Sequence, residues 1–413
     1  MRVLAPAPAP SPRPWRAFSA VAVGTLMATL DGNIVNVALP TLGVELRAHV
    51  DALQWIVNGY LVAITATLVV MGRLGDRLGH RALYAGGLAV FTLGSALCGL
   101  APGLGALVAA RVLQALGASA MMAIGTAIVT AAFPLHMRGR ALGAIGTVVA
   151  VGLTLGPPLG GLILSHLSWR WVFYVNLPVG IAGAAWALRI LPRGGAPGGP
   201  LLDPAIFRIP TFSLGLAAGF LSYAAMFSQT FLTPFLLARV LRLEPGRLGI
   251  VLSAVPLALA ASSPLAGWIS DRFGARRLPA FGMAVLAAAL WTLSLAGASS
   301  TVPSVMVHLF VAGVGMGLFQ APNNTAVMSA LPRARLGSGG GLLATARNAG
   351  MAAGVGLAGT LFATRAGPDA AGPEFLAGYA LALRAGAALA VAAAAVSLLK
   401  AASPARPPEP RGP

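Results

Sequence analysis

The chain has one cysteine, Cys98, and one lysine, Lys400, among its 413 residues. A single thiol excludes an internal disulfide framework and any multi-cysteine metal centre, so Cys98 reads as a core residue of the third hydrophobic segment. A single lysine near the carboxyl end excludes a G-x-x-x-x-G-K-[ST] phosphate loop. Uphill work by this chain therefore has to draw on an ion gradient or on a partner, and no cofactor is expected. Charge is scarce as well, at 9% of residues, and acidic groups are the rarer sign, with ten against 28 arginines and lysines. The amino end, Ala5-Pro6-Ala7-Pro8-Ala9-Pro10-Ser11-Pro12, lacks the apolar run and cleavage site of a signal peptide. It reads as a disordered cytoplasmic tail over 1–16.

Apolar surface is what the chain has in excess. At 57% hydrophobic residues and a mean hydropathy of +0.82 it cannot hide its side chains in one water-soluble core, which makes it an integral membrane protein. Runs of roughly 18 or more residues with few charges predict twelve spanning helices over 17–39, 53–72, 82–100, 105–133, 141–164, 171–191, 211–238, 246–267, 278–298, 303–331, 339–363 and 376–399. The expected fold is all-α, with two pseudo-symmetric six-helix bundles at 17–191 and 211–399. A proline- and glycine-dense cytoplasmic linker over 192–210 joins them, and a tail follows at 400–413.

The net charge of +18 does not point to nucleic acid, because the basic residues are dispersed in short clusters between apolar segments. One side of an even-span topology carries Arg2, Arg13, Arg16, Arg73, Arg77, Arg81, Arg138, Arg140, Arg189, Arg193, Arg208, Arg272, Arg276, Arg277, Arg333, Arg335, Lys400, Arg406 and Arg411, nineteen in all. The other carries the seven residues Arg47, Arg170, Arg239, Arg242, Arg247, Arg365 and Arg384. The positive-inside rule then puts both termini in the cytoplasm of a multi-pass cell-membrane protein. A monomer surrounded by lipid is expected.

Three patterns carry chemistry. First, Asp31 sits well inside the first span, in Leu30-Asp31-Gly32-Asn33-Ile34-Val35-Asn36, and a carboxylate at that depth is costly and marks function. Arg111, followed by Gln114, lies within the fourth span and needs a carboxylate, a carbonyl or a water-filled cavity. The two are candidates for proton coupling, although Arg111 lies nearer the outer end of its helix than Asp31 does. Second, Gly72-Arg73-Leu74-Gly75-Asp76-Arg77-Leu78-Gly79-His80-Arg81 follows the second span, and Gly267 to Arg277, with Asp271 and Arg272, follows the eighth. The offset of 195 residues points to an internal duplication. Both stretches read as cytoplasmic loops whose aspartates and arginines latch one face shut. Third, Gly152, Gly156, Pro157, Gly160 and Gly161 form a ladder in the fifth span, suited to close packing and bending between the halves. Polar groups in other spans are candidates for a substrate cavity: Asn33, Asn36, Gln54, Asn58, Gln114, Gln229, Gln320, Asn323, Asn324 and Arg347, with Phe227 as apolar wall. Transporters built from two such halves commonly hold substrate between them, near the bilayer midplane.

Five stretches together resemble the drug:proton antiporter branch of the major facilitator superfamily: Leu30 to Pro40, Gly72 to Arg81, Arg111 to Gly117, Gly152 to Gly161, and Trp169-Arg170-Trp171-Val172-Phe173-Tyr174-Val175-Asn176-Leu177-Pro178-Val179-Gly180. The last resembles members with fourteen helices. Here the chain passes within about 20 residues from Leu191 to Pro200-Leu201-Leu202-Asp203-Pro204, a stretch that in that branch follows two further central helices; the resemblance thus implies a twelve-helix form lacking that pair. Asn33 stands where threonine is usual, and His80 where a basic residue is usual. The resemblance implies alternating-access export of hydrophobic, often cationic, small molecules in exchange for protons. Asp31 and Arg111 would couple the protons, and the 152–161 ladder would favour exchange. Proton-coupled uptake or metabolite exchange on the same fold is the first alternative, which the ladder disfavours. A non-transporting sensor or scaffold is the second, and it has no need of groups as costly as Asp31 and Arg111.

Overall fold

The structure is a computed structural model and describes residues 14–134, 137–192, 204–273, 277–332, 335–366 and 372–402. Helix α1 runs Pro14–Glu45, α2 Val50–Leu78, α3 His80–Leu100, α4 Leu104–Ala132 and α5 Arg138–His166. The sixth predicted span is broken at Val175 into a short α6, Trp171–Tyr174, and α7, Asn176–Ile190. After the turn Pro204–Arg208 come α8, Pro210–Phe235, which runs on as a π-helical turn over Leu236–Val240, then α9, Pro245–Leu252, and α10, Ala254–Phe273. The remaining helices are α11, Leu278–Leu293, α12, Val302–Ser329, α13, Leu336–Arg365, and α14, Pro373–Ala402. The breaks have local causes. Pro234, inside α8, has no N–H to give the i→i−4 ladder just before the π turn, and Pro256 does the same two residues after α10 begins.

All twelve predicted spans are helical. Ten helices among the described residues are long and apolar enough to cross a membrane. Of the other two spans, Leu278–Leu293 is apolar but only 16 residues long, and α13 is diluted by glycine, Arg347 and Asn348. Large apolar side chains such as Leu97, Leu162, Ile181, Phe281, Val307 and Val391 stand exposed, as lipid-facing residues do, while the buried polar groups point inward.

Two stretches differ from expectation. The segment Gly72 to Leu78 is not a loop but the last two turns of α2. Its arginines ride on a helix that outruns the apolar segment, and the reversal into α3 is made by Gly79 alone, at φ 88° and ψ 142°. Likewise Gly267 to Phe273 is the end of α10. Helix α1 begins at Pro14, inside the stretch read as tail, and α14 continues to Ala402; the rest of both tails and 193–203 of the linker lie outside the described residues.

The chain forms two compact units. One comprises 1–201 with Pro234–Ser253, the other Leu202–Thr233 with 254–413. The short segment around α9 thus groups with the first unit, not with the 211–399 half in which its sequence position places it. In the first unit α3 crosses α4 backbone to backbone: a methyl on Gly87 would stand 3.0 Å from the Gly117 carbonyl oxygen, and one on Gly117 2.5 Å from that of Gly87. The second unit repeats this at α11 and α12, where the Gly282 and Gly315 positions face each other's carbonyls at 2.6 and 2.7 Å. Gly87 and Gly282 stand 195 residues apart, the same offset as Asp76 and Asp271, so the duplication is visible in packing as well as in motif.

Candidate functional site

Asp31 is the one buried carboxylate among the described residues. It and Arg111 are in direct contact: Arg111 Nη1 donates to Asp31 Oδ2 at 2.6 Å, with exposures of 1% and 0%. The same Nη1 donates to Gln114 Oε1 at 2.6 Å, and Arg111 Nε reaches the Ile56 carbonyl at 3.4 Å. Helix geometry explains the pairing. Residues i and i+3 share a face, so Arg111 and Gln114 point together from α4 toward α1. The guanidinium also lies over the Tyr60 ring, 4.0 Å from its centroid, a cation–π contact that helps a desolvated arginine.

The other carboxylate oxygen, Oδ1, accepts from Gln114 Nε2 at 2.9 Å and from Asn176 Nδ2 at 2.8 Å. Both amides also donate to Ser95 Oγ, at 2.7 and 3.3 Å. Four helices, α1, α3, α4 and α7, therefore meet on one charge, with Tyr60 of α2 above it. Neither Asn176, Ser95 nor Tyr60 stood out as a site residue in the sequence. Asn176 had a signal, the Val175-Asn176-Leu177-Pro178 stretch at the α6–α7 break.

The 152–161 ladder lies against this network's first helix. A methyl on Gly152 would stand 2.9 Å from Thr29 Cβ, one on Gly156 2.6 Å from Asn33 Cβ, and one on Gly160 3.2 Å from Ile34 Cα. Asn33 itself donates back to Thr29 O at 2.8 Å and packs on Gly156. The opposite face of α5 meets α9, where Gly161 abuts Pro245 O and Gly249 sits directly on the Pro157 carbonyl. α5 is thus clamped between the Asp31 helix and α9, contributing no side chain of its own at these glycines.

In the second unit, Tyr223, Gln320, Asn323, Asn324 and Arg347 line a cavity of about 110 Å³. Gln320 Nε2 donates to the Tyr223 hydroxyl at 2.8 Å, and Asn323 Nδ2 to Gly215 O at 3.1 Å. Lys400 Nζ, buried, donates to Asn323 Oδ1 at 2.7 Å. Other predicted cavity residues are elsewhere. Gln229 is buried with its amide held by Thr230 and Thr233 of its own helix, and Phe227 packs on the apolar core of the unit. In the first unit, Asn36 and Asn58 are buried, and Gln54 keeps a buried, unpartnered Oε1. Of the latch residues, Gly72, Arg77, Gly79 and Arg81 lie at the α2–α3 reversal. Arg272 stands over Trp268 at 5.5 Å. The side chains of Asp76 and Asp271 lie outside the described residues.

Twelve predicted spans, all helical and ten of them long and apolar enough to cross a membrane among the described residues, fall in two units that repeat one packing pattern, with a buried ion pair inside one of them: this is an internally duplicated, multi-pass membrane protein. The Major Facilitator Superfamily profile matches residues 21–355 and 215–412, and the chain belongs to that family. It is 31% identical to the riboflavin transporter RibZ of Clostridioides difficile (strain 630) over 402 residues, which span 84% of this chain and 88% of that protein. It is 30% identical to the tetracenomycin C resistance and export protein of Streptomyces glaucescens, over 88% of this chain and 78% of that protein. Among solved structures, a bacterial homolog of the human lysosomal transporter Spinster superposes with a TM-score of 0.76 at 20% identity, covering 95% of this chain and 98% of that one.

Proposed function

We propose that this transporter exports hydrophobic small molecules across the cell membrane in exchange for protons, by alternating access, with both termini in the cytoplasm. The observation that carries the reading is the Asp31 network. A carboxylate that is 0% exposed, with donors from three other residues, is expensive to keep, and a purely structural apolar contact would cost less. A proton arriving at Asp31 must displace one of those donors, and its release lets the donor return. Protonation is thereby tied to movement of α1 against α4 and α7.

The ladder on α5 supplies the surface along which α1 moves without side-chain interlock. The inward excess of basic residues supports the orientation. No cofactor is needed, since a charge crossing 100 mV releases about 2.3 kcal/mol. Relatives named for antibiotic resistance and export support efflux. In inverted vesicles with an acid interior, dye accumulation should depend on the imposed pH gradient and vanish in Asp31→Asn. Gradient-independent behaviour across a broad panel of dyes and antibiotics, or full activity of Asp31→Asn, would sink the antiport reading.

A further inference from the structure

The two units treat buried positive charge differently. In the first, Arg111 is neutralised by Asp31. In the second, Arg347 lines the cavity with its Nε buried and without a hydrogen-bond partner, and no described carboxylate pairs with it. Among the described residues, Lys400, close by through Asn323, donates to that neutral amide. Of the neutral groups around the cavity, Tyr223 keeps a donor and Asn323 is already engaged. Tyr223 accepts through its oxygen from Gln320 and stands within reach of Arg347, which leaves its own hydroxyl hydrogen unspent. Asn323 has committed its oxygen to Lys400 and its nitrogen to Gly215.

We infer that this cavity is a subsite for an acidic group of the cargo, a carboxylate or an ionised enol or phenol, received by the Arg347 guanidinium and the Tyr223 hydroxyl. Its volume, about 110 Å³, holds such a group and not a whole drug-sized molecule. Arg347 is partly buried, and a guanidinium with a buried, unpartnered Nε and no described carboxylate beside it is stabilised by a counter-charge brought in from outside; a guanidinium binds carboxylates with two parallel hydrogen bonds. A cationic cargo has no equivalent here, because the one buried carboxylate of the described residues is spent on Arg111. The inference rests on the transporter reading of the same cavity but not on proton coupling.

The test uses equilibrium binding, with no gradient, to the purified full chain in lipid nanodiscs, followed by fluorescence anisotropy. The probes are fluorescein, which carries a free carboxylate, and rhodamine 6G, a xanthene of similar shape whose carboxylate is esterified and whose charge is positive. Saturable fluorescein binding is expected. Arg347→Gln should raise the fluorescein-to-rhodamine ratio of dissociation constants roughly tenfold, the size of one lost charge-assisted bond, and Arg347→Lys, which keeps the charge but not the paired geometry, should recover only part of it. An unchanged ratio in Arg347→Gln, or no saturable fluorescein binding by the unmutated chain, overturns the subsite. If the ratio shifts while inverted vesicles show no proton-driven accumulation, the subsite stands and antiport falls.

Discussion

At the scale of single residues, Asp31 and Arg111 bind each other so closely that removing one should cost more than removing both. Arg111→Gln leaves a buried carboxylate with two amide donors and should destabilise the protein by about 3 to 5 kcal/mol, the range for a broken buried pair. Adding Asp31→Asn to it should restore part of that loss. Thermal unfolding of the two single variants and the double variant in micelles checks the order. Asn176→Ala takes away one donor of three and should cost about 1 to 3 kcal/mol, less than Arg111→Gln. The charged members of this site were legible because any charge inside an apolar run stands out, whereas Gln114 reads in the sequence as a cavity-lining amide and is instead a donor to Asp31. Asn176 lies 145 residues from Asp31, and Ser95 is an ordinary hydroxyl in α3. No periodicity reports that such distant residues converge. The contact between Arg111 and Asp31 was likewise beyond the sequence, which placed them at different depths. The arginine side chain is long enough to span that difference.

Among the elements, α5 offers a sharp contrast between glycines of one helix. Gly156→Ala would place a methyl 2.6 Å from Asn33 Cβ, well inside contact distance. It should push α5 off α1, costing about 1 to 3 kcal/mol as overpacking does and slowing transport. Gly146→Ala has nothing within 4 Å and should be neutral or stabilising by up to about 1 kcal/mol through helix propensity. Melting temperatures and initial transport rates of the two variants, measured side by side, decide it. At the α2–α3 reversal, Gly79→Ala should cost about 1 to 3 kcal/mol, because φ 88° with ψ 142° is open to glycine and strained for other residues. The spans themselves were readable from run length alone. What hydropathy could not show was that α2 and α10 continue as helix past their apolar stretch, since arginine and aspartate there mark the membrane's edge and not the helix's end. The interruptions at Val175 and Ser253 also escaped, because both lie inside runs that stay apolar.

For the molecule as a whole, the distribution of nineteen basic residues against seven predicts sidedness. In intact cells, a membrane-impermeant maleimide should label Ser299→Cys, between α11 and α12, and spare Ser403→Cys until the membrane is permeabilised; the reverse pattern would invert the topology. The duplication was legible in the repeated Asp-Arg motif, whereas its expression as matched glycine crossings, Gly87 on Gly117 and Gly282 on Gly315, required coordinates. Such an experiment is unusually clean in this chain for a reason that lies in its core. The sole thiol, on Cys98, is 0% exposed, and the sole lysine amine, on Lys400, is 7% exposed and held by Asn323. The native protein therefore offers thiol-directed reagents almost nothing to react with, and no well-exposed lysine competes, so reporter dyes, spin labels or crosslinkers can be installed on engineered cysteines one at a time without first stripping out competing residues.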